Sequence, residues 1–259
     1  MLLDDTVAMV TGAGAGIGRE IAIRLAEEGA DVVLAGRSVE AMQEVARRVA
    51  ALGREAFVVP LDLRNGGSVD GAVGTARERF GRVDVLVNNS GVGGPTKQLV
   101  DLSAQEWDET FSVNVTGTFL CCRAVLPQMI ERRRGSIVVI GSITGKRPLV
   151  NRAPYAASKA ALIGLVRTLA AEVGPHGVRV NLVSPGGVEG QRLDWVIESQ
   201  AEARGLTPTQ VREEFAGGSA LRRLVSPVDV ADVTAYLASP RARSVTGEDV
   251  NVAAGLVMY

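Results

Sequence analysis

Short apolar runs rich in β-branched residues recur along this chain, separated by segments of helical length and periodicity. Strands are predicted at Val7–Val10, Asp31–Ala35, Ala56–Val59, Val83–Asn88, Ser136–Ile140, Arg179–Val183 and Asp249–Val252. A strand that is apolar on both sides must be covered on both faces, as in a parallel sheet. The intervening helices, Gly16–Glu28, Val39–Ala51 and Val69–Phe80, have about the length a right-handed crossover needs. Longer helical patterns follow at Ala104–Arg133 and Pro154–Val173. The alternation predicts an α/β fold with a doubly wound parallel sheet.

The chain has 259 residues, enough for one large α/β domain over residues 1–259. No composition shift, internal repeat or low-complexity linker divides it. The rhythm fails only at Glu189–Ser219, a charged stretch with Trp195 and a Gly205-Leu206-Thr207-Pro208 break. A segment of this length beyond the C-terminal end of a strand is read as a helical substrate lid within the domain. A surface insertion is the alternative.

Charge and composition exclude several functions. Lys and Arg number 28 and Asp and Glu 29, so nothing recruits nucleic acid or an anionic membrane. Arg132-Arg133-Arg134 reads as the charged end of a helix before Gly135. No run approaches the roughly 18 apolar residues of a membrane span. Met1-Leu2-Leu3-Asp4-Asp5 lacks the basic start of an export signal. Adjacent Cys121 and Cys122 suit packing better than a disulfide, and a cytoplasmic location is expected. Asn88-Asn89-Ser90 and Asn114-Val115-Thr116 are read as chance matches to a glycosylation pattern. His176, in Gly-Pro-His-Gly, is the only histidine and reads as a loop residue; no metal site is expected.

After the first strand comes Thr11-Gly12-Ala13-Gly14-Ala15-Gly16-Ile17-Gly18, opening a helix. Glycines there permit a tight turn and let a phosphate approach backbone N–H groups at the helix N-terminus. Its spacing is not the usual G-x-G-x-x-G, and no lysine makes it a P-loop. An NAD site normally has an acidic residue at the end of the second strand. Gly36 stands there instead, followed by Arg37. Glycine leaves room for a 2′-phosphate and Arg37 can pair with it, so NADP(H) is expected in preference to NAD(H). A solvated loop arginine is the alternative.

Tyr155 and Lys159 lie four residues apart, one turn of helix on one face, with Ser142 thirteen residues upstream of Tyr155. A phenol of pKa about 10 is a poor proton-transfer group near neutrality, and a neighbouring ammonium lowers that value. The spacing also suits an ordinary solvated face.

Taken together, these residues resemble the short-chain dehydrogenase/reductase family over nearly the whole chain. The matches are Thr11-Gly12-x-x-x-Gly16-x-Gly18, Asp62 after the third strand, Asn88-Asn89-Ser90-Gly91 after the fourth and Asn114 in the long helix. Ser142 after the fifth strand, Tyr155-x-x-x-Lys159, and Pro185-Gly186 after the sixth complete the series. The resemblance implies a Rossmann fold and an oxidoreductase that interconverts a secondary alcohol and a ketone. It implies that Tyr155 is the general acid and base, and that Lys159 lowers its pKa and binds the nicotinamide ribose. Ser142 would bond the reacting oxygen, and Asn114 would hold a water chain leading from Lys159. The cofactor would lie against Gly12, Ala15, Gly16, Ile17, Gly18, Arg37, Asp62, Leu63, Asn89, Gly91, Tyr155, Lys159, Pro185, Gly186 and Val188, with its adenine near Asp62 and Leu63. A homotetramer built on the two long helices is also implied.

The chain departs from the family pattern at three places. Ser90 replaces an alanine, Gly190 stands where many members have a threonine that bonds the nicotinamide carboxamide, and the tail Asn251-Val252-Ala253-Ala254-Gly255 lacks Asp-Gly-Gly. Alternatives to the general reading are a 3-oxoacyl thioester reductase, as on acyl carrier protein, and a non-catalytic dinucleotide-sensing regulator. The substrate pocket is expected at Gly93, Gly94, Thr144, Arg152, Gly187 and Trp195. Lys146, Arg147 and Arg152 are read as surface charges, with attraction of a carboxylate or phosphate as the alternative.

Overall fold

All seven predicted strands form, and they join into one parallel sheet in a computed structural model that describes residues 1–259. The strands are β1 (Thr6–Thr11), β2 (Ala30–Gly36), β3 (Ala56–Pro60), β4 (Val85–Asn88), β5 (Gly135–Ile140), β6 (Val178–Pro185) and β7 (Asp249–Val252). Their order is β3-β2-β1-β4-β5-β6-β7. The order reverses between β1 and β4, which opens a crevice at the C-terminal ends of these two neighbours.

Helices α1 (Gly16–Glu27), α2 (Val39–Ala51) and α3 (Gly66–Phe80) follow the first three strands. Beyond β4 come α4 (Ala104–Phe111), α5 (Gly117–Glu131) and α6 (Ala153–Val173), and late in the chain α9 (Pro227–Ala238). Along β1, Ala8 and Val10 enter one core with Ile21 and Leu25 of α1, Met42 of α2 and Val230 of α9. Val7 and Met9 enter the other with Val73 of α3, Met129 of α5 and Leu162 of α6. The two-residue strand period thus feeds two cores on opposite faces.

The long pattern predicted over Ala104–Arg133 is not one continuous α-helix. A π-turn at Ser112–Thr116 separates α4 from α5. Such a turn inserts residues without breaking the apolar stripe, so helical periodicity does not reveal it. The helix ends at Glu131, and Arg132 turns back to the buried carboxylate of Asp84, which also receives Arg82. Cys121 and Cys122 are free and buried, and burial pushes both thiols up to about 12. His176 lies in a short turn between α6 and β6.

Two helices, α7 (Gln191–Arg204) and α8 (Pro208–Gly217), fill the segment where the rhythm failed. Gly205 ends α7 in a left-handed conformation, and Thr207 starts α8 with a capping box ahead of Pro208. Leu193, Ile197, Ala201 and Val211 give the pair a small core of its own. The Gln200 amide donates to Val150 O at 2.9 Å and ties α7 to the loop before α6. No helix is long and apolar enough to cross a membrane.

Candidate active site

The turns after β1 and β4 are locked together at the crevice. Thr11 Oγ1 accepts from the Asn89 and Ser90 amides at 3.1 and 3.0 Å. Asn89 Nδ2 donates to the carbonyls of Thr11 and Gly12 at 2.9 and 3.2 Å. A Cβ at Gly18 would lie 2.2 Å from Gly12 O and 2.4 Å from Asn89 Nδ2, so any larger residue would lift α1 off this turn. Ala15 caps α1 without a side-chain bond. The first N–H groups of α1, near Ile17, are therefore left for an anion, and these residues fit the phosphates of a dinucleotide.

Arg37, beyond β2, is exposed and enters no salt bridge, while Ser38 caps α2. Its charge reaches Asp62, two residues beyond β3. Arg64, which the sequence did not single out, holds that carboxylate at 3.0 and 2.7 Å and, with Arg37 adding a little, lowers Asp62 to about 2. Leu63 is buried beside Gly117. Across the crevice, the Gly186 amide donates to Val252 O at 2.9 Å after Pro185, and Val188 bridges to Val225. Gly190 has φ +125°, a conformation L residues rarely adopt. A threonine in this backbone would be strained, which accounts locally for the departure from the family pattern.

Tyr155 and Lys159 occupy successive turns of α6, with the Lys159 ammonium 5.8 Å from the Tyr155 ring centroid. Lys159 Nζ donates to Ile140 O at 2.8 Å, at the end of β5. Ser142 opens the turn after β5, accepts from the Thr144 amide at 3.1 Å, and its hydroxyl stands near enough to the Tyr155 phenol to favour the phenolate. Asn114 sits in the π-turn, where its side chain accepts from the Val92 amide at 2.7 Å and donates to Val92 O and Ser158 Oγ, both at 3.0 Å. The π-turn thereby fixes the loop after β4 to α6 beside Gly91. The structure brings Asn114, Ser142, Tyr155 and Lys159 to one place.

Burial opposes ionisation of the Tyr155 phenol. Lys159, Arg192, the Ser142 hydroxyl and Arg152 outweigh it and hold the phenol below its usual value. Burial likewise pushes Lys159 below the usual lysine value, against the pull of Tyr155 and with the help of Arg192. Arg192 was not anticipated. It is an exposed residue in the first turn of α7, yet its guanidinium reaches across to Gly91 O.

Two of the three expected surface charges are buried. The Lys146 side chain is 7% exposed, lies 2.8 Å from Asp249 Oδ2 and donates to Asn251 Oδ1 at 2.6 Å. Arg152 is 2% exposed and reaches Gly93 O. Both were misread because their partners lie far along the chain. Arg147 is exposed as expected. Among the expected pocket residues, Gly93, Arg152 and Trp195 meet; Gly94 packs on Thr110, and Gly187 packs under Phe215 and Leu224 instead.

Comparison with known proteins agrees with this architecture. The short chain dehydrogenase family matches residues 6–201. The 3-oxoacyl-(acyl-carrier-protein) reductase FabG of Staphylococcus epidermidis is 35% identical over 255 residues, covering 97% of this chain and 98% of the relative. An NAD+-bound xylitol dehydrogenase superposes with a TM-score of 0.96 at 32% identity, covering 98% of this chain and all of the other. An actinorhodin polyketide ketoreductase with NADPH gives 0.94 at 36% identity, with both chains fully covered. The chain belongs to the short-chain dehydrogenase family. It is an NAD(P)-dependent oxidoreductase that acts on CH–OH or carbonyl groups of small molecules.

Proposed function

We propose that the enzyme interconverts a secondary alcohol and a ketone, with NADP(H) preferred over NAD(H) and Tyr155 as the proton-transfer group. The observation that carries this reading is the placement of the Lys159 ammonium 5.8 Å from the Tyr155 ring centroid, on the next turn of α6. There it and the other nearby cations favour the phenolate against burial.

When bound, the nicotinamide supplies or takes up the hydride. The Gly12–Gly18 turn, with Ala15, Gly16 and Ile17, would hold the pyrophosphate. Arg37 would take the 2′-phosphate, and Asp62 and Leu63 the adenine end. Asn89, Gly91, Pro185, Gly186 and Val188 would line the nicotinamide half, with Lys159 toward its ribose. Carbonyl reduction places developing negative charge on the substrate oxygen. Ser142 donates to that oxygen, and Tyr155 transfers its phenolic proton to it. In alcohol oxidation the phenolate accepts the proton. Lys159 keeps the phenol acidic in both directions. Asn114 sets the loop and helix around Lys159, and the water chain from Lys159 is assigned to it. Helices α7 and α8 act as the lid over the substrate. The assembly is a homotetramer joined through α5 and α6; Phe119, 45% exposed on α5, is an apolar contact available for it.

A 3-oxoacyl thioester reductase is the second reading, favoured by the likeness to the staphylococcal reductase. The test is a screen of ketones, alcohols and a 3-oxoacyl thioester with both cofactors, following absorbance of the reduced nicotinamide. Turnover of simple ketones with NADPH supports the first reading. Turnover of the thioester alone supports the second, and no turnover of any carbonyl contradicts both.

A further inference from the structure

Arg152, the residue before α6, has no acidic partner. Nη1 donates to Thr96 Oγ1 at 3.0 Å and Nη2 to Gly93 O at 2.7 Å, while Nε is buried without a hydrogen-bond partner. The guanidinium lies against two rings, 5.3 Å from the centroids of Tyr155 and Trp195. Apart from Lys159, other buried or half-buried cations are matched differently. Lys146 has Asp249, Arg82 and Arg132 share Asp84, and Arg54 has Asp31. Arg179 also lacks a carboxylate, but it donates to four backbone carbonyls and Ser136 Oγ.

A buried charge held by two neutral oxygens is incompletely compensated. Of its titratable neighbours, the Tyr155 phenol offsets part of the deficit when ionised, and Arg192 adds to it. Lys159 and Arg192 also stand near the Tyr155 phenol, and neither Arg152 nor Lys159 has a carboxylate among the groups acting on it. The Trp195 indole, 45% exposed on α7, lies against the guanidinium. The Tyr155 ring lies on the same guanidinium, so a group bound there sits beside the phenol. A guanidinium fork matches a carboxylate in two parallel hydrogen bonds.

We propose that the substrate carries a carboxylate a few bonds from its reacting carbon, which Arg152 receives beneath Trp195. The enzyme is on this account selective for oxo and hydroxy acids. The assignment rests on the alcohol–ketone reading above and narrows its substrate class.

Two measurements test it on the full-length enzyme saturated with NADPH. In the first, 2-oxo and 3-oxo acids are compared as substrates with their methyl amides. The expected kcat/KM ratio of acid to amide is at least tenfold in the wild type, falls at least tenfold in Arg152→Gln and is partly retained in Arg152→Lys. Equal rates for acids and amides in the wild type would overturn the proposal, even if Arg152→Gln does not fold. In the second, acetate and benzoate, with acetamide and benzamide as neutral controls, are titrated calorimetrically. Binding of the carboxylates alone, lost in Arg152→Gln, supports the site; equal binding of acids and amides, or none, overturns it. Carboxylate binding without reduction of any ketone would preserve the Arg152 site and refute the reaction. Reduction of amides as fast as acids would do the reverse.

Discussion

The Lys159 ammonium donates a 2.8 Å hydrogen bond to the carbonyl of Ile140 and stands 5.8 Å from the centroid of the Tyr155 ring. A carbonyl fixes the position of the ammonium without neutralising it, so its field remains available to the phenol. Replacing Lys159 with Met should lower turnover near neutral pH by about 100-fold or more, the usual scale for a disabled acid–base device. The alkaline shift of the pH profile should accompany that loss. Turnover unchanged across the pH range would refute the role of Lys159.

Arg192 is expected to act on the same phenol from α7. Alcohol oxidation needs the ionised phenol, so its rate should rise with pH as Tyr155 loses its proton. Arg192 is one of the cations holding the phenol down. Arg192→Gln removes that contribution, raises the phenol pKa and moves the rising limb to higher pH. A limb that stays in place, or moves to lower pH, would show that the guanidinium does not influence Tyr155 in solution.

Cofactor preference provides a separate test. Arg37 is exposed and free of ion pairs at the end of β2, next to a glycine. Arg37→Ala should weaken NADPH binding at least tenfold, on the scale of about 1.4 kcal/mol or more for a lost charge-assisted contact, and leave NADH nearly unaffected. Equal losses measured by cofactor titration would remove the phosphate contact from the account.

The buried pair of Lys146 and Asp249 is expected to stabilise the fold near the Ser142 turn. Both side chains are under a tenth exposed, and Ser184 also donates to Asp249 at 2.6 Å. Lys146→Met strands the carboxylate and should cost about 3 kcal/mol or more in denaturant unfolding. Adding Asp249→Leu should recover part of that loss, because the two effects are coupled. Additive losses would indicate that the residues act independently.

The alternation of β-branched runs with helical segments revealed the sheet, because each period reports directly on which faces are buried. The Gly205 and Thr207-Pro208 signals likewise revealed the break between α7 and α8. The π-turn around Asn114 escaped because an inserted turn leaves the stripe of apolar residues nearly intact. Arg152 and Lys146 read as solvated because a cation's burial depends on distant neighbours, here Trp195 and Asp249. The reach of Arg192 to Gly91 was hidden for the same reason: a side chain crossing a crevice has no local sequence signature.

The most direct test of the proton-transfer account is Tyr155→Phe, which removes one oxygen and keeps the ring. Cofactor titration and turnover should be measured on the same preparation. NADPH binding within a few-fold of the wild type, with turnover down by about 100-fold to 10,000-fold, is the expected result. Turnover equal to the wild type would contradict the account.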